Sequence, residues 1–210
     1  CLVRQQRAGG GLDTQAIEAK LLDALKAEDG FTFYDKGSAT KAEAGAARVV
    51  EAIYRAPYLA HATMEPMNCT ARVLDGKVEV WAPTQVPDMA RAIAAKVAGV
   101  SEDKVTLHTT LLGGGFGRRL EVDHVGQAVR VAMACNGKPV QLGWSREQDT
   151  THDFYRPAGA ALMQAGLDAQ GRVQALKITS AGDAITPRFM ERNAPALAGP
   201  LDLPDKTASE

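Results

Sequence analysis

The stretch Leu112-Gly113-Gly114-Gly115-Phe116-Gly117-Arg118-Arg119 concentrates the chemistry of this chain: four glycines, one aromatic ring and two guanidinium groups in eight positions. Glycine reaches positive φ and lets a ligand approach the backbone, at a cost in folding entropy, so a cluster at a strand-to-helix junction points to a cradle. A helix starting just after such a loop offers unpaired N–H groups and a positive dipole end, which suits phosphate or a similar anion, and Arg118 and Arg119 fit that reading. Spacing excludes two common nucleotide folds. Counting G-x-G-x-x-G from Gly113 puts Arg118 where the third glycine belongs, and Arg118-Arg119-Leu120 stands where a P-loop needs lysine followed by serine or threonine. What is left is a loop that wraps a flat or phosphorylated cofactor, or a β-bulge or tight turn that binds nothing.

Three further segments carry chemical groups. His61-Ala62-Thr63-Met64-Glu65-Pro66 sets a histidine four residues before a carboxylate, a metal-binding spacing on a helix. Pro57 and Pro66 oppose a helix there, and no second histidine completes H-E-x-x-H, so the competing reading is structural, with Glu65 accepting backbone hydrogen bonds. Trp144-Ser145-Arg146-Glu147 and His152-Asp153-Phe154-Tyr155-Arg156-Pro157 gather charges and aromatics into one loop region. That region reads equally as a salt-bridged surface loop or as a pocket wall whose arginine orients an anionic or carbonyl-bearing substrate. No Ser-His-Asp or Cys-His arrangement follows from spacing.

The elements that must position these groups are legible from periodicity. Residues 13–29 read as an amphipathic helix capped by Asp13 or Thr14 and stopped at Gly30, and residues 31–47 as a short strand at Phe31–Tyr34 followed by a loop or weak helix. Val49–Tyr54 reads as a strand, and the alternation of Cys69, Ala71 and Val73 with Val78 and Val80 across Asp75-Gly76 is a hairpin. A helix over 87–98, a strand over 104–111, and a helix from Val122 to the stop at Asn136-Gly137 place the glycine loop between strand and helix. Val140, Leu142 and Trp144 read as a strand, and 159–167 and 172–180 as two more around the turn Asp168–Gly171. Helices and hairpins mix without a strict βαβ rhythm, which predicts an α+β fold of mixed sheets with packed helices, not a doubly wound parallel sheet. A domain boundary is expected near residue 47.

Composition narrows the classes further. With 210 residues, 45% hydrophobic, 23% charged and a net charge of −1, the chain can bury a core and is not a basic nucleic-acid module. Cys1, Cys69 and Cys135 form no C-x-x-C, so no disulfide framework, zinc site or iron–sulfur site is indicated. No apolar run approaches the roughly 18 residues of a membrane span. The start at Cys1 and the polar end at Asp205–Glu210 suggest a piece of a longer chain.

Taken together and in order, Leu59–Asn68, Gly113–Arg119, Trp144–Glu147 and His152–Ala158 resemble the molybdenum-binding large subunit of the xanthine dehydrogenase and aldehyde oxidase superfamily, nearest its isoquinoline 1-oxidoreductase beta-subunit branch. The likeness runs from about residue 30 to residue 210. It implies that residues 1–47 end a preceding α/β hammerhead-like domain and its connector, and that 48–210 form a truncated first molybdenum-cofactor-binding domain. It implies a molybdenum–pterin cofactor, in the cytosine dinucleotide form, and oxidation of an aldehyde or of a carbon beside a heteroaromatic nitrogen with water as the oxygen source. Iron–sulfur clusters would sit in a separate small subunit, and the glutamate base outside this window, so no catalytic residue or metal ligand is assigned here. Gly113, Gly114, Gly115, Phe116, Gly117 and Arg118 would line the cofactor, with Phe116 close to the metal's ligands, and Glu121 and Arg156 would belong to the substrate pocket.

Two departures bear on the substrate. Many relatives carry Gly-Lys-Glu after the loop's Phe-Gly, whereas this chain has Arg118-Arg119-Leu120 with Glu121 displaced by one position; and Leu59 replaces a cofactor-binding glutamine. Both argue against a purine and for a less polar aromatic or an aldehyde. The partners implied are the small subunit, the remaining domains of the same subunit and a small-molecule substrate, with no nucleic acid, and a bacterial periplasmic location is slightly favoured over the cytoplasm. The competing function is a non-catalytic anion- or nucleotide-binding module.

Overall fold

A computed structural model describes residues 13–27 and 30–183, with 185, 186 and 189. Along the chain, helices α1 (Thr14–Ala24) and α2 (Ala39–Ala44) precede strand β1 (Arg48–Ala56). Strands β2 (Asn68–Leu74) and β3 (Lys77–Ala82), helix α3 (Pro87–Ala98), strand β4 (Val105–Thr109) and helix α4 (Asp123–Ala132) follow. Strand β5 (Val140–Gly143), helix α5 (Arg146–Thr151) and strands β6 (Gly159–Leu167) and β7 (Val173–Gly182) complete the described elements. The fold is α+β, as the mixed periodicities predict.

The chain packs as two units, residues 60–156 and the remainder. Within 60–156 a four-stranded sheet runs β4-β3-β2-β5. β2 and β3 form the hairpin read from the sequence, with Val73 opposite Val78 and Leu74 opposite Lys77. Asp75 and Gly76 both take positive φ (50° and 70°), the mirror-image turn whose twist matches paired strands. β4 pairs parallel to β3 through the α3 crossover, the single βαβ unit among the described residues. Cys69, Ala71, Val78 and Val80 meet Ala90 and Ala94 of α3 and Val125, Ala128 and Val129 of α4 in the core. The small alanines let both helices sit close to the sheet, and α4 then points its N-terminus back to the glycine loop.

The other unit holds a three-stranded antiparallel sheet, β1-β6-β7. Asp168 closes the β6–β7 turn by accepting the N–H groups of Gln170 and Arg172, both at 2.9 Å. Asp13 caps α1 by accepting the Ala16 N–H at 2.7 Å, as its side chain predicts.

Several sequence expectations shift. α1 stops at Ala24, well before Gly30. Phe31–Tyr34 forms no strand: Phe31, Phe33 and Tyr34 are 61%, 77% and 75% exposed, and no neighbouring strand takes up their backbone. The expected boundary near residue 47 is not a break in packing, because β1 begins at Arg48 and the Ala47 N–H bonds the Leu167 carbonyl at 2.8 Å. The breaks fall after Leu59 and after Arg156. Residues 187, 188 and 190–210 lie outside the described residues.

Candidate cofactor-binding loop

The glycines of the loop are required first by the protein's own packing. A Cβ on Gly113 would stand 2.3 Å from the Glu65 Cβ, and one on Gly115 2.6 Å from the Gln85 Oε1. Gly114 and Gly117 take φ of 104° and 101°, and Phe116 itself is held at 54°, which a bulky residue adopts only under constraint. The constraint comes from two neighbouring segments. The Gly113 N–H donates to Glu65 Oε2 at 2.8 Å while the Glu65 N–H donates to the Gly113 carbonyl at 3.1 Å. On the far side of the loop the Gly117 N–H donates to Gln85 Oε1 at 3.2 Å.

Behind the loop lie two fully buried arginines. Arg119, 0% exposed, donates to the carbonyls of Gly114 (2.8 Å), Pro83 (3.2 Å) and Glu65 (2.8 Å) and to Glu65 Oε2 (2.9 Å). Burial pulls its basicity below the usual arginine range, and the Glu65 carboxylate counteracts that pull. Arg118, 1% exposed, forks onto Asp123 at 3.0 and 2.9 Å, and its guanidinium lies between the rings of Trp144 (5.5 Å) and Phe154 (5.1 Å). Its Nε is 3.1 Å from Asp153 Oδ1, an ion pair without the alignment of a hydrogen bond.

The segment before β2 is anchored on the same centre. Asp153, with a side chain 1% exposed, accepts the His61 backbone N–H and lies 2.9 and 3.0 Å from His61 Nδ1. Arg146 joins the N-terminal turn of α5 to the same segment, bonding the carbonyls of Thr63 (2.6 Å) and Met64 (3.0 Å) and Asp149 Oδ2 (2.8 Å). Burial raises the Asp153 carboxyl, but His61 and Arg118 outweigh it and hold the group below the usual carboxylate range. At Asp123 burial is likewise outweighed, by His124 and Arg118.

These contacts settle how the predicted residues are used. The four segments singled out by sequence converge. Glu65 acts as the structural reading has it: Oε2 takes Gly113 and Arg119, and Oε1 takes the Asn68 side chain at 2.8 Å. Both arginines, which the sequence offers for an anion, turn their guanidinium groups onto internal partners: Arg118 onto Asp123 and Arg119 onto Glu65 and the carbonyls of Gly114 and Pro83. Glu121, expected at a substrate pocket, is 6% exposed, so little of it is left to meet a substrate. Arg156 is exposed.

Gln85, Asp123 and Asp153 were not singled out as a set, because three acidic or amide side chains scattered over 69 positions carry no local pattern. Helix α5 was missed although its signal was present: Ser145 and Gln148 form a capping box, with Gln148 N–H on Ser145 Oγ at 3.2 Å and the reverse bond at 3.0 Å. Large apolar side chains on and next to the loop are exposed. Phe116 is 72% exposed, with Leu111 at 95% and Met64 at 88%. An exposed aromatic ring on a fixed glycine backbone offers a flat apolar face to a planar ring system. Among the described residues no group of His, Cys, Asp and Glu is assembled to hold a metal ion.

The chain belongs to the molybdopterin cofactor-binding domain family, whose model matches residues 25–193. It is 38% identical over 134 residues to the isoquinoline 1-oxidoreductase subunit beta of Brevundimonas diminuta, covering 63% of this chain and 16% of that protein. It is 33% identical over 171 residues to a protein of Gluconacetobacter polyoxogenes named membrane-bound aldehyde dehydrogenase [pyrroloquinoline-quinone], covering 80% of this chain and 22% of that one. The chain thus spans a minor part of each curated relative. Among solved structures, the aldehyde oxidoreductase of Desulfovibrio gigas shares the fold with a TM-score of 0.55 at 20% identity, over 76% of this chain and 19% of that one. The quinoline 2-oxidoreductase of Pseudomonas putida 86 does so with 0.53 at 22% identity, over 68% and 18%.

Proposed function

We propose that this chain is part of the catalytic subunit of a molybdenum hydroxylase, in which Gly113–Gly117 form one wall of the molybdenum–pterin site. The observation that carries the reading is the convergence of four sequence-distant segments on one braced loop whose Phe116 ring is exposed. When bound, the cofactor supplies two-electron oxidation of a C–H bond with the oxygen of water, releasing two electrons and two protons. The chain's own contribution is placement: Glu65 and Gln85 fix the loop backbone, Arg118 and Arg119 brace it from behind, and Phe116 offers a ring face and excludes water. Arg156, which is exposed, would be available to orient a substrate. The substrate class is an aldehyde or an N-heteroaromatic ring, the classes named in the relatives. The cofactor's cytosine dinucleotide form, an iron–sulfur partner subunit taking the electrons, and a periplasmic location belong to the same reading.

The test is elemental analysis of the complete subunit, purified with its partner from cells able to make the cofactor. About one molybdenum per subunit, with cytidine monophosphate released on acid hydrolysis, is the expected result. A subunit holding a quinone and no molybdenum would overturn the reading and favour the chemistry named for the Gluconacetobacter relative. Fractionation of the same cells tests the compartment.

A further inference from the structure

The buried charges behind the loop include one pairing that the loop's support does not use. His61 is tied to Asp153 at two points, through its backbone N–H and through Nδ1 at 2.9 and 3.0 Å, so both the position and the plane of the ring are set. Asp153 is in turn held by Arg118, 3.1 Å away, which is itself fixed by Asp123 and two aromatic rings. Ala62, the next residue, sits at φ 44°, a left-handed turn that bends the chain immediately after the histidine. None of this is needed to hold Gly113, which depends on Glu65 and Arg119.

The other ring nitrogen is aimed at the loop. A Cβ placed on Gly117 would lie 3.6 Å from His61 Nε2, so this nitrogen faces the backbone of the last loop glycine. The side chain is 9% exposed, and the ring's hydrogen bonds among the described residues all run through Nδ1. A carboxylate at Nδ1 keeps the proton on that nitrogen, which makes Nε2 of the neutral ring a hydrogen-bond acceptor. A buried carboxylate, an oriented imidazole and an acceptor nitrogen beside a cofactor loop form a positioning device of the kind that fixes a bound group in one orientation.

We propose that His61 is a cofactor-positioning residue, its Nε2 accepting a hydrogen bond from an N–H or O–H of the molybdenum–pterin group seated against Gly113–Gly117, with Asp153 and Arg118 setting its tautomer and angle. The assignment rests on the proposed function above.

Two substitutions separate this role from a merely structural one. Asparagine reproduces the donor at the Nδ1 position but has no atom at Nε2, whereas glutamine places an amide at the Nε2 position and gives up Nδ1. The complete subunit with its partner is prepared as wild type, His61→Asn and His61→Gln, and molybdenum per protein, the Mo(V) electron paramagnetic resonance signal and the melting temperature are measured. The expected result is a loss of molybdenum of about tenfold or more in His61→Asn at a nearly unchanged melting temperature. In His61→Gln, loading is retained in large part and the Mo(V) signal is shifted. Full loading and an unshifted signal in His61→Asn would overturn the proposal. Equal losses in both variants, or a loss in His61→Gln alone, would overturn it as well, since those patterns follow from ring packing or from the Asp153 pair. A wild type without molybdenum would overturn the functional reading itself and this assignment with it.

Discussion

In the sheet β4-β3-β2-β5 the side chains of Ala71, Val78 and Val80 are at most 1% exposed, whereas in β1-β6-β7 Val49, Ile53, Tyr54 and Ile178 stand 46%, 47%, 59% and 54% exposed. β1 and β7 carry β-branched residues as β2, β3 and β4 do, although the β6 between them carries none, so strand propensity does not account for the exposure of Val49, Ile53 and Ile178. Helices do. The first sheet carries α3 and α4 across its face; in the other unit α1 and α2 are the helices introduced above among the described residues, and Tyr54 and Ile53 keep about half their surface open. Every charged group that braces the glycine loop belongs to the well-packed unit. A loop is held to within a fraction of an ångström only where the supporting side chains have their rotamers locked by packing.

The difference between the units can be broken most severely at Arg119. Arg119→Met leaves the carbonyls of Gly114, Pro83 and Glu65 and the Glu65 carboxylate without their donor, and the expected cost is about 3–5 kcal/mol by denaturant unfolding. A cost below about 1 kcal/mol would mean that the brace is not needed. Next in size, Val129→Ala removes two buried methyl groups and is expected to cost about 2 kcal/mol, while Ile53→Ala in the exposed sheet stays within about 0.5 kcal/mol. Similar costs at both sites would remove the contrast. Gly113→Ala, whose new Cβ meets the Glu65 Cβ, is expected to cost about 1–3 kcal/mol, and Gly115→Ala less, because the Gln85 side chain can swing away.

Acid sharpens the same comparison. The folded carboxyls of Asp123 and Asp153 are held below their ordinary values, with His124 and His61 respectively, and Arg118, outweighing burial. Their stabilisation is therefore fully present above the unfolded value of about 3.9 and is lost as pH falls through the lower folded values. Asp153→Asn should flatten the stability profile below about pH 4, and an unchanged slope would count against the buried pair. The smallest effect concerns thiols. Burial pushes Cys69 up to about 12, so Cys135, only partly buried, should react before Cys69 with a maleimide at neutral pH.

Much of this was legible because it is local. The hairpin at Asp75-Gly76, helix α3 from Pro87 and the strand–loop–helix setting of the glycines follow from turn chemistry and period, signals that lie within a dozen residues. The site was legible only as four separate segments. Arg118 and Arg119 fit an anion cradle in sequence because a sequence shows charge but not direction; that they turn inward follows from Asp123 nearby and from Glu65 and Asp153, far away along the chain. Phe31–Tyr34 misled for the opposite reason, since an aromatic run has strand propensity with or without a partner strand.

The central claim, that an apolar glycine loop braced from behind receives the cofactor, is tested most directly by hydrogen–deuterium exchange on the complete subunit with and without its molybdenum–pterin group. The account predicts that the peptide spanning Leu112–Leu120 gains protection on loading while the β1-β6-β7 strands change little. Equal exchange of that peptide in both forms would contradict it.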